Sequence, residues 1–420
     1  TKEELDAYEF MMAEAEKRDH RKIGPELDLF TFSPLVGSGL PMLTPKGVVL
    51  RQLLVDFVWE LMKPYGYERV WIPHLAKSDL YKTSGHWDKY EEDLFHVSSK
   101  KTDEAFVVKP MNCPHHTQIY ASKPRSYRDL PIRYSEVTTC YRDENTGQIQ
   151  GLTRVRSLTQ DDAHVFCRPD QVKQEVINIY EIIKKFYAGF GISFSRVRLS
   201  VRDSAHPEKY LGGDEIWNQA EKTLLEVLEA VGVTPEIGEG EAAFYGPKID
   251  FMIKDAIGRE WQLATAQLDF NQPERFELEY VDSDGTRKRP VMIHRAILGS
   301  VERFMAIMIE HYTGAFPLWL APVQMTILPV ADRHIEFAQS LAKELEAHDF
   351  RVDVDASTES VGKKIRNAEK AKYPVMLVVG DKEAEGGPLT IRRRGEKDQK
   401  TIDKAAFIED MLQEVQSRQN

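Results

Sequence analysis

Apolar side chains recur at helical spacing in about the first 20 residues, where Leu5, Tyr8, Met11, Met12 and Ala15 stand among charges; this predicts an exposed lead-in helix. A denser stripe at 47–63 (Val48, Leu50, Leu53, Leu54, Phe57, Val58, Leu61, Met62) predicts a second helix, ended by Pro64-Tyr65-Gly66. A short strand over 68–72 follows and stops at Pro73. Strand-like runs occupy 105–110, 127–142, 196–202 and 248–255. Residues 258–270 follow the last run across Asp255-Ala256-Ile257-Gly258, which reads as a hairpin turn. This pattern predicts α+β with an antiparallel sheet rather than strand–helix alternation. After residues 317–322 the pattern changes: VQMTILPV, a helix through 332–348, RVDVDA, a helix at 361–372 and PVMLVVG alternate. That is a small, largely parallel α/β domain of about 95 residues, with its boundary near 321–323.

Composition narrows the classes. The 420 residues suit two or three domains, and 42% apolar with 29% charged residues excludes collagenous, low-complexity or wholly disordered chains. With 56 basic and 67 acidic residues the net charge is −11, which argues against nonspecific DNA binding but leaves room for local basic patches. Three cysteines cannot build a disulfide framework, so a reducing, cytoplasmic setting is expected. No apolar run is long enough for a membrane span, and the opening lacks the layout of a signal peptide. Thr1 in place of methionine leads us to expect an excised or processed product.

Candidate chemistry starts at 139–164, TCYRDENTGQIQGLTRVRSLTQDDAH. Arg142 enters a polar loop and Arg154 returns from it, a cationic cradle suited to nucleotide phosphates because guanidinium forks match phosphate oxygens; a charged exposed hairpin reads equally well. HRAILGSVERF at 294–304 adds Arg303 on a helix beginning near Gly299-Ser300.

Together these segments resemble class II aminoacyl-tRNA synthetases: 47–73, the 141–164 hairpin and the 299–303 helix look like motifs 1, 2 and 3. MNCPHH at 111–116, TQDDAH at 159–164, FYGPKIDF at 244–251, TAQLDF at 265–270 and VMIHRAILGSVERF at 291–304 resemble the threonyl-tRNA synthetase family in particular. The resemblance covers nearly the whole chain and implies a lead-in at 1–30, a class II catalytic domain at 31–321 with an antiparallel sheet flanked by helices, and an α/β anticodon-binding domain at 322–420. The implied activity is ATP-dependent activation of L-threonine through threonyl-adenylate and its attachment to tRNA(Thr). The implied partners are these substrates and a second copy of the chain in a homodimer. The 47–63 stripe fits such an interface and fits plain core packing equally well.

The resemblance also assigns residues. It implies one Zn²⁺ per chain on Cys113, His164 and His294, a set too scattered for any metal-finger spacing; His115 and His116 could compete, but the family match selects the cysteine before them. Arg142 falls on the ATP α-phosphate, Arg154 on the terminal phosphate, Glu144 at adenine, and Arg303 near the γ-phosphate and adenine. Lys248 and Gln262 face the nucleotide pocket, and Mg²⁺ accompanies ATP. Gln160, Asp162, Tyr245, Gln267 and Ser300 line the threonine pocket. Glu383 and Arg392 match the anticodon-contacting segment, and His86 a position facing the terminal ribose of tRNA.

The chain departs from the family pattern at Ser157-Leu158, where many members carry Gly-Phe, and at Leu263-Ala264, where many carry Cys-Gly. Leucine gives up the aromatic stacking on adenine, and the second change adds bulk beside the pocket floor. Two rivals follow: an inhibitor-resistant paralogue with an altered pocket, and a nonenzymatic RNA-binding relative, which would be expected to have lost Arg142, Arg303 or a zinc ligand. Only the lead-in helix precedes the core, so the chain as given is expected to mischarge serine, which lacks only a methyl group, without removing it.

Overall fold

The helical spacing at the start of the chain forms Lys2–Arg18, capped by the Thr1 hydroxyl, with Leu5, Tyr8, Met11 and Met12 exposed. The second helix spans Pro45–Met62. Its Leu50, Leu54, Val58 and Met62 are buried within the single chain, whereas Val48 of the same stripe is about half exposed. A computed structural model describes residues 1–396 and 398–418, which form two compact units.

The unit of residues 32–41 and 55–306 is built on an eight-stranded sheet. Its strands run in the order Glu236–Glu239, Phe194–Val201, Lys248–Lys254, Glu260–Asp269, Val291–Ala296, Ser157–Cys167, Ile132–Tyr141 and Glu68–Arg69. All neighbours are antiparallel except the outermost pair at each edge. The expected turn at 255–258 is present: Gly258 sits at φ 82°, and its N–H donates to the Asp255 carbonyl at 3.0 Å. The amphipathic helices Val172–Ala188 and Asp214–Ala230 cover the sheet. Phe186 meets Phe57, Phe190 and Phe304 at centroid distances of 5.0–5.3 Å, an aromatic core that fixes the start of the helix Val301–His311.

Three elements depart from the sequence reading. The strand read at 127–142 begins at Ile132, and Arg142 and Arg154 stand on the connecting loop rather than on strands. The return strand of the hairpin read at 141–164 is Ser157–Cys167, which starts after Arg154 and runs to Cys167; polar side chains on both of its buried faces mask the alternation that would mark its extent. The two covering helices were also not anticipated among the strand-like runs.

The unit of residues 1–31, 42–54 and 307–420 carries a five-stranded sheet ordered Val352–Val354, Met325–Pro329, Val375–Val379, Leu389–Arg393 and Lys400–Ile402. The first three strands are parallel, as expected, and the last two extend the sheet antiparallel. Met325, Ile327, Leu341, Leu345, Val375, Leu377 and Phe407 form its core. Arg18 ties the first helix to this unit through the carbonyls of Glu310 and His311 and the Thr313 hydroxyl, at 3.0–3.4 Å. Among the described residues no helix is long and apolar enough to cross a membrane.

Candidate active site and metal centre

Antiparallel register brings distant residues together. Gln267 lies directly opposite His294, His294 opposite His164, and His164 opposite Tyr134. Lys248 extends the same row on the other side of Gln267. Directly paired residues share a face and side chains alternate along each strand, so Gln160, Asp162 and His164 all point to one side of the sheet. That face floors a cavity of about 320 Å³, into which Arg142, Glu144 and Arg154 also reach from the loop between two strands.

Cys113, His164 and His294 each present one donor atom, and these atoms all lie within 4.8 Å of one another. Cys113 opens the helix Cys113–Ala121, and the two histidines are paired on adjacent strands. His294 Nε2 donates to Asp269 Oδ2 at 2.8 Å, which leaves the Nδ1 lone pair aimed at His164 Nε2, 3.1 Å away. Two nitrogens on one tetrahedral zinc, bonded at about 2.0–2.1 Å, stand roughly 3.3 Å apart, so the donor set fits a single such ion. Burial, reinforced by His294 and His116, pushes His164 well below the usual imidazole range, and burial holds the Cys113 thiol well above its ordinary value. The imidazole is thus neutral and ready to ligate, while the thiol must lose its proton when metal binds. His115 and His116 do not join the convergent set: His116 Nδ1 lies 2.8 Å behind His164 Nδ1, and His115 packs against Tyr81. The second convergent group, Asp19, His20 and Glu310, is a committed ion-pair cluster, with Asp19 held by Arg21 and Glu310 2.6 Å from His20 Nδ1.

The expected threonine-pocket residues Gln160, Asp162, Tyr245 and Gln267 all line the cavity. Asn112 Nδ2 donates to Asp162 Oδ2 at 3.0 Å, and the Tyr245 hydroxyl donates to Gln267 Oε1 at 3.0 Å. Burial raises Asp162 above the usual carboxylate range, so a cationic ligand group would stabilise its ionised form. Gly246 makes this geometry possible: a Cβ there would stand 1.8 Å from the Leu268 carbonyl oxygen, so only glycine lets the Tyr245 segment approach the strand bearing Gln267. Ser300 does not line the cavity, and its hydroxyl donates to Glu302 Oε2 at 3.0 Å.

Among the nucleotide candidates, Arg154 Nε donates to Glu144 Oε2 at 2.8 Å. Arg303 lies outside the cavity lining, donates to the Thr153 carbonyl at 2.9 Å, and sits 6.0 Å from the Trp261 ring centroid. Burial first, then the neighbouring Arg142 and Arg154, push Arg303 below its ordinary value, with Glu144 opposing the shift. Lys248 and Gln262 do not line the cavity either; both donate at 2.6 Å to the fully buried Asp250, which also accepts from Ser200 at 2.7 Å.

The tRNA candidates are more enclosed than expected. His86 is buried rather than facing outward, with Nε2 3.8 Å from Cys113 Sγ and Nδ1 2.7 Å from the Ser84 hydroxyl, and burial lowers it to about 4. Glu383 accepts from Gly380 N at 2.8 Å and from the Thr390 hydroxyl at 2.6 Å. Arg392 pairs with Glu369 at 2.9 Å, Arg393 with Glu414, and Arg394 with three backbone carbonyls, so each arginine of the run has a partner.

Neither departure of the sequence alters the cavity. Leu158 shares the face of Gln160 but pairs with Cys140 outside the lining. Leu263 is the extra residue of a β-bulge, since Phe251 pairs with Ala264 and Met252 with Gln262. The sequence reading missed Asp269, Gln272, His116, Asn112 and the buried pair Asp161–Arg295, all of which support the site from behind. Asp269 alternates with Gln267 and Thr265 in TAQLDF, which was the one signal available for it.

Residues 95–312 match the family described as tRNA synthetase class II core domain (G, H, P, S and T), and residues 324–414 match the anticodon binding domain. The threonine–tRNA ligase of Phocaeicola vulgatus is 49% identical over all 420 residues, and that of Deinococcus radiodurans 50% identical over 405 residues, or 96% of the chain. The chain spans 65% and 62% of these two curated relatives. The crystal structure of the RNA binding domain of threonyl-tRNA synthetase from Cryptosporidium parvum superposes with a TM-score of 0.89 at 37% identity, covering 95% of this chain and 98% of that one. With its core and anticodon-binding regions both matched, the chain belongs to the class II aminoacyl-tRNA synthetases, in the threonyl-tRNA synthetase family.

Proposed function

We propose that this chain activates L-threonine with ATP and transfers the threonyl group from threonyl-adenylate to tRNA(Thr). The supporting observation is that one cavity is lined both by Arg142 and Arg154 and by Cys113, His164 and His294, which joins a phosphate cradle to a site for an amino acid bearing a hydroxyl. The threonine carboxylate oxygen forms a bond to the α-phosphorus as the bond to pyrophosphate breaks, so no side-chain nucleophile is required. Arg142 stabilises the charge gathering on the α-phosphate, Arg154 and Arg303 hold the distal phosphates, and Glu144 reads adenine. Lys248 and Gln262, both bonded to Asp250, are assigned to the nucleotide pocket on the family resemblance. Each preorganised donor of this kind is worth about 10²–10³ in rate. Asp162 and Gln160 take the N–H groups of the substrate amine, and Tyr245 and Gln267 shape the rest of the threonine pocket. Cys113, His164 and His294 would hold zinc, which would supply a Lewis acid for the neutral amine and hydroxyl of threonine, a pair that valine lacks. Mg²⁺ accompanies ATP.

The same reading takes 31–321 as the catalytic domain and 322–420 as the anticodon-binding domain, with Glu383 and Arg392 toward tRNA bases. A cytoplasmic homodimer completes it, and sedimentation tests the dimer. The decisive experiment is ATP–pyrophosphate exchange with a panel of amino acids, alongside elemental analysis of wild type and Cys113→Ala. Threonine-dependent exchange and one zinc per chain, lost in the variant, are expected. Folded, zinc-loaded protein without threonine-dependent exchange would refute the activity, and full threonine activation without metal would refute the zinc site.

A further inference from the structure

His116 and Glu136 are buried polar groups with no role in the cavity. His116 is fully inside and Glu136 is 6% exposed, and neither lines the site. His116 Nε2 and Glu136 Oε2 have no hydrogen-bond partner, yet they point at one another across 3.8 Å. On its other side, His116 Nδ1 lies 2.8 Å from His164 Nδ1, and the two rings meet edge to face at 4.7 Å. Glu136 is anchored from behind, its Oε1 accepting the Ile72 N–H at 3.1 Å.

Two facing ring nitrogens at 2.8 Å must be one donor and one acceptor. If His164 gives Nε2 to a metal, its proton sits on Nδ1 and His116 Nδ1 accepts it. The remaining proton of His116 then rests on Nε2, facing the Glu136 carboxylate. The mirror arrangement exists at the other imidazole, where Asp269 fixes the proton of His294 on Nε2. Buried carboxylates behind metal-ligating histidines set tautomer and ring orientation. The geometry points to His116 and Glu136 as positioning residues that hold His164 with its Nε2 lone pair toward the metal. This inference rests on the zinc reading of Cys113, His164 and His294.

The test uses full-length, zinc-loaded protein titrated with a chromophoric chelator, with circular dichroism as a control for fold. His116→Phe removes the acceptor, His116→Asn restores one near the Nδ1 position, and Glu136→Gln removes the charge while keeping an acceptor for Ile72. The expected result is a 10–100-fold weaker zinc affinity in His116→Phe, a smaller loss in Glu136→Gln, and recovery toward wild type in His116→Asn. Wild-type zinc retention in folded His116→Phe would overturn the assignment. If that variant does not fold, wild-type zinc retention in Glu136→Gln would overturn it equally. Wild-type protein that binds no zinc, or Cys113→Ala that keeps it, would remove the zinc reading itself. Those outcomes are distinguishable because both proteins retain His116.

Discussion

Removing the guanidinium of Arg295 is expected to cost about 3–5 kcal/mol of stability in the unit that carries the cavity, the usual penalty for stranding one member of a buried ion pair. Arg295 and Asp161 are both fully enclosed, and Arg295 Nη1 donates to Asp161 Oδ1 at 2.7 Å. Asp161 Oδ2 accepts from the backbone N–H groups of Ile297 and Leu298 at 2.7 and 3.2 Å. Arg295→Met keeps an unbranched apolar stem and loses the guanidinium, leaving the carboxylate with those two amides alone. In Asp161→Asn/Arg295→Met the stranded charge is gone, so the double variant should recover at least ~1 kcal/mol relative to additivity. Gln160 and Asp162 flank Asp161 and face the cavity, so the KM for threonine should rise more than the KM for ATP. Urea unfolding followed by tryptophan fluorescence is a suitable readout, since five of the six tryptophans (59, 71, 87, 217 and 261) lie in this unit. A loss below ~1 kcal/mol in Arg295→Met, or a double variant worse than additive, would refute the reasoning.

Gly246→Ala places a methyl against the Leu268 carbonyl and should cost about 1–3 kcal/mol while raising the threonine KM through the Tyr245–Gln267 contact; unchanged kinetics would contradict the close approach. Burial lowers His115 to about 4, so below pH 6.5 the unfolded chain takes up a proton that the folded chain refuses, and stability falls by about 1.4 kcal/mol per pH unit down to pH 4. His115→Phe should flatten the decline of the urea midpoint of metal-free protein between pH 7.5 and 5.5, and an equally steep decline would sink the idea. Arg142→Ala and Arg303→Ala should each lower pyrophosphate exchange about 10²–10³-fold with the fold intact, and losses under ~10-fold in both would show the motif roles to be misassigned. Arg392→Ala should weaken tRNA charging and spare threonine activation; equal loss in both assays would point elsewhere.

The parts of the fold most legible in sequence were those where apolar periodicity and turn chemistry agree, such as Pro45–Met62 and the Asp255–Gly258 turn. The site was legible only through motif resemblance, because its order is set by strand register: His164 and His294 are 130 positions apart and meet as a cross-strand pair. Nothing local predicts that pairing. The bounds of the strand Ser157–Cys167 stayed hidden for a related reason. Its buried polar residues serve the cavity on one face and the Asp161–Arg295 pair on the other, so hydrophobic alternation is absent where function is densest. Enclosure was also illegible: His86 and Glu383 carry polar side chains that read as surface groups until their partners are seen.

One compact unit draws on residues 1–31, 42–54 and 307–420, so its first segment leaves the ribosome about 280 residues before the rest of its core is made. At 5–20 residues per second that gap is roughly 15–55 s. During it the helix Lys2–Arg18 lacks the carbonyls of Glu310 and His311 that anchor Arg18, and Ile23, Leu29 and Phe30, buried in the finished fold, wait for the rest of their unit. The discontinuous unit therefore makes biogenesis, rather than final stability, the stage at which this segment is most exposed to chaperones and proteases.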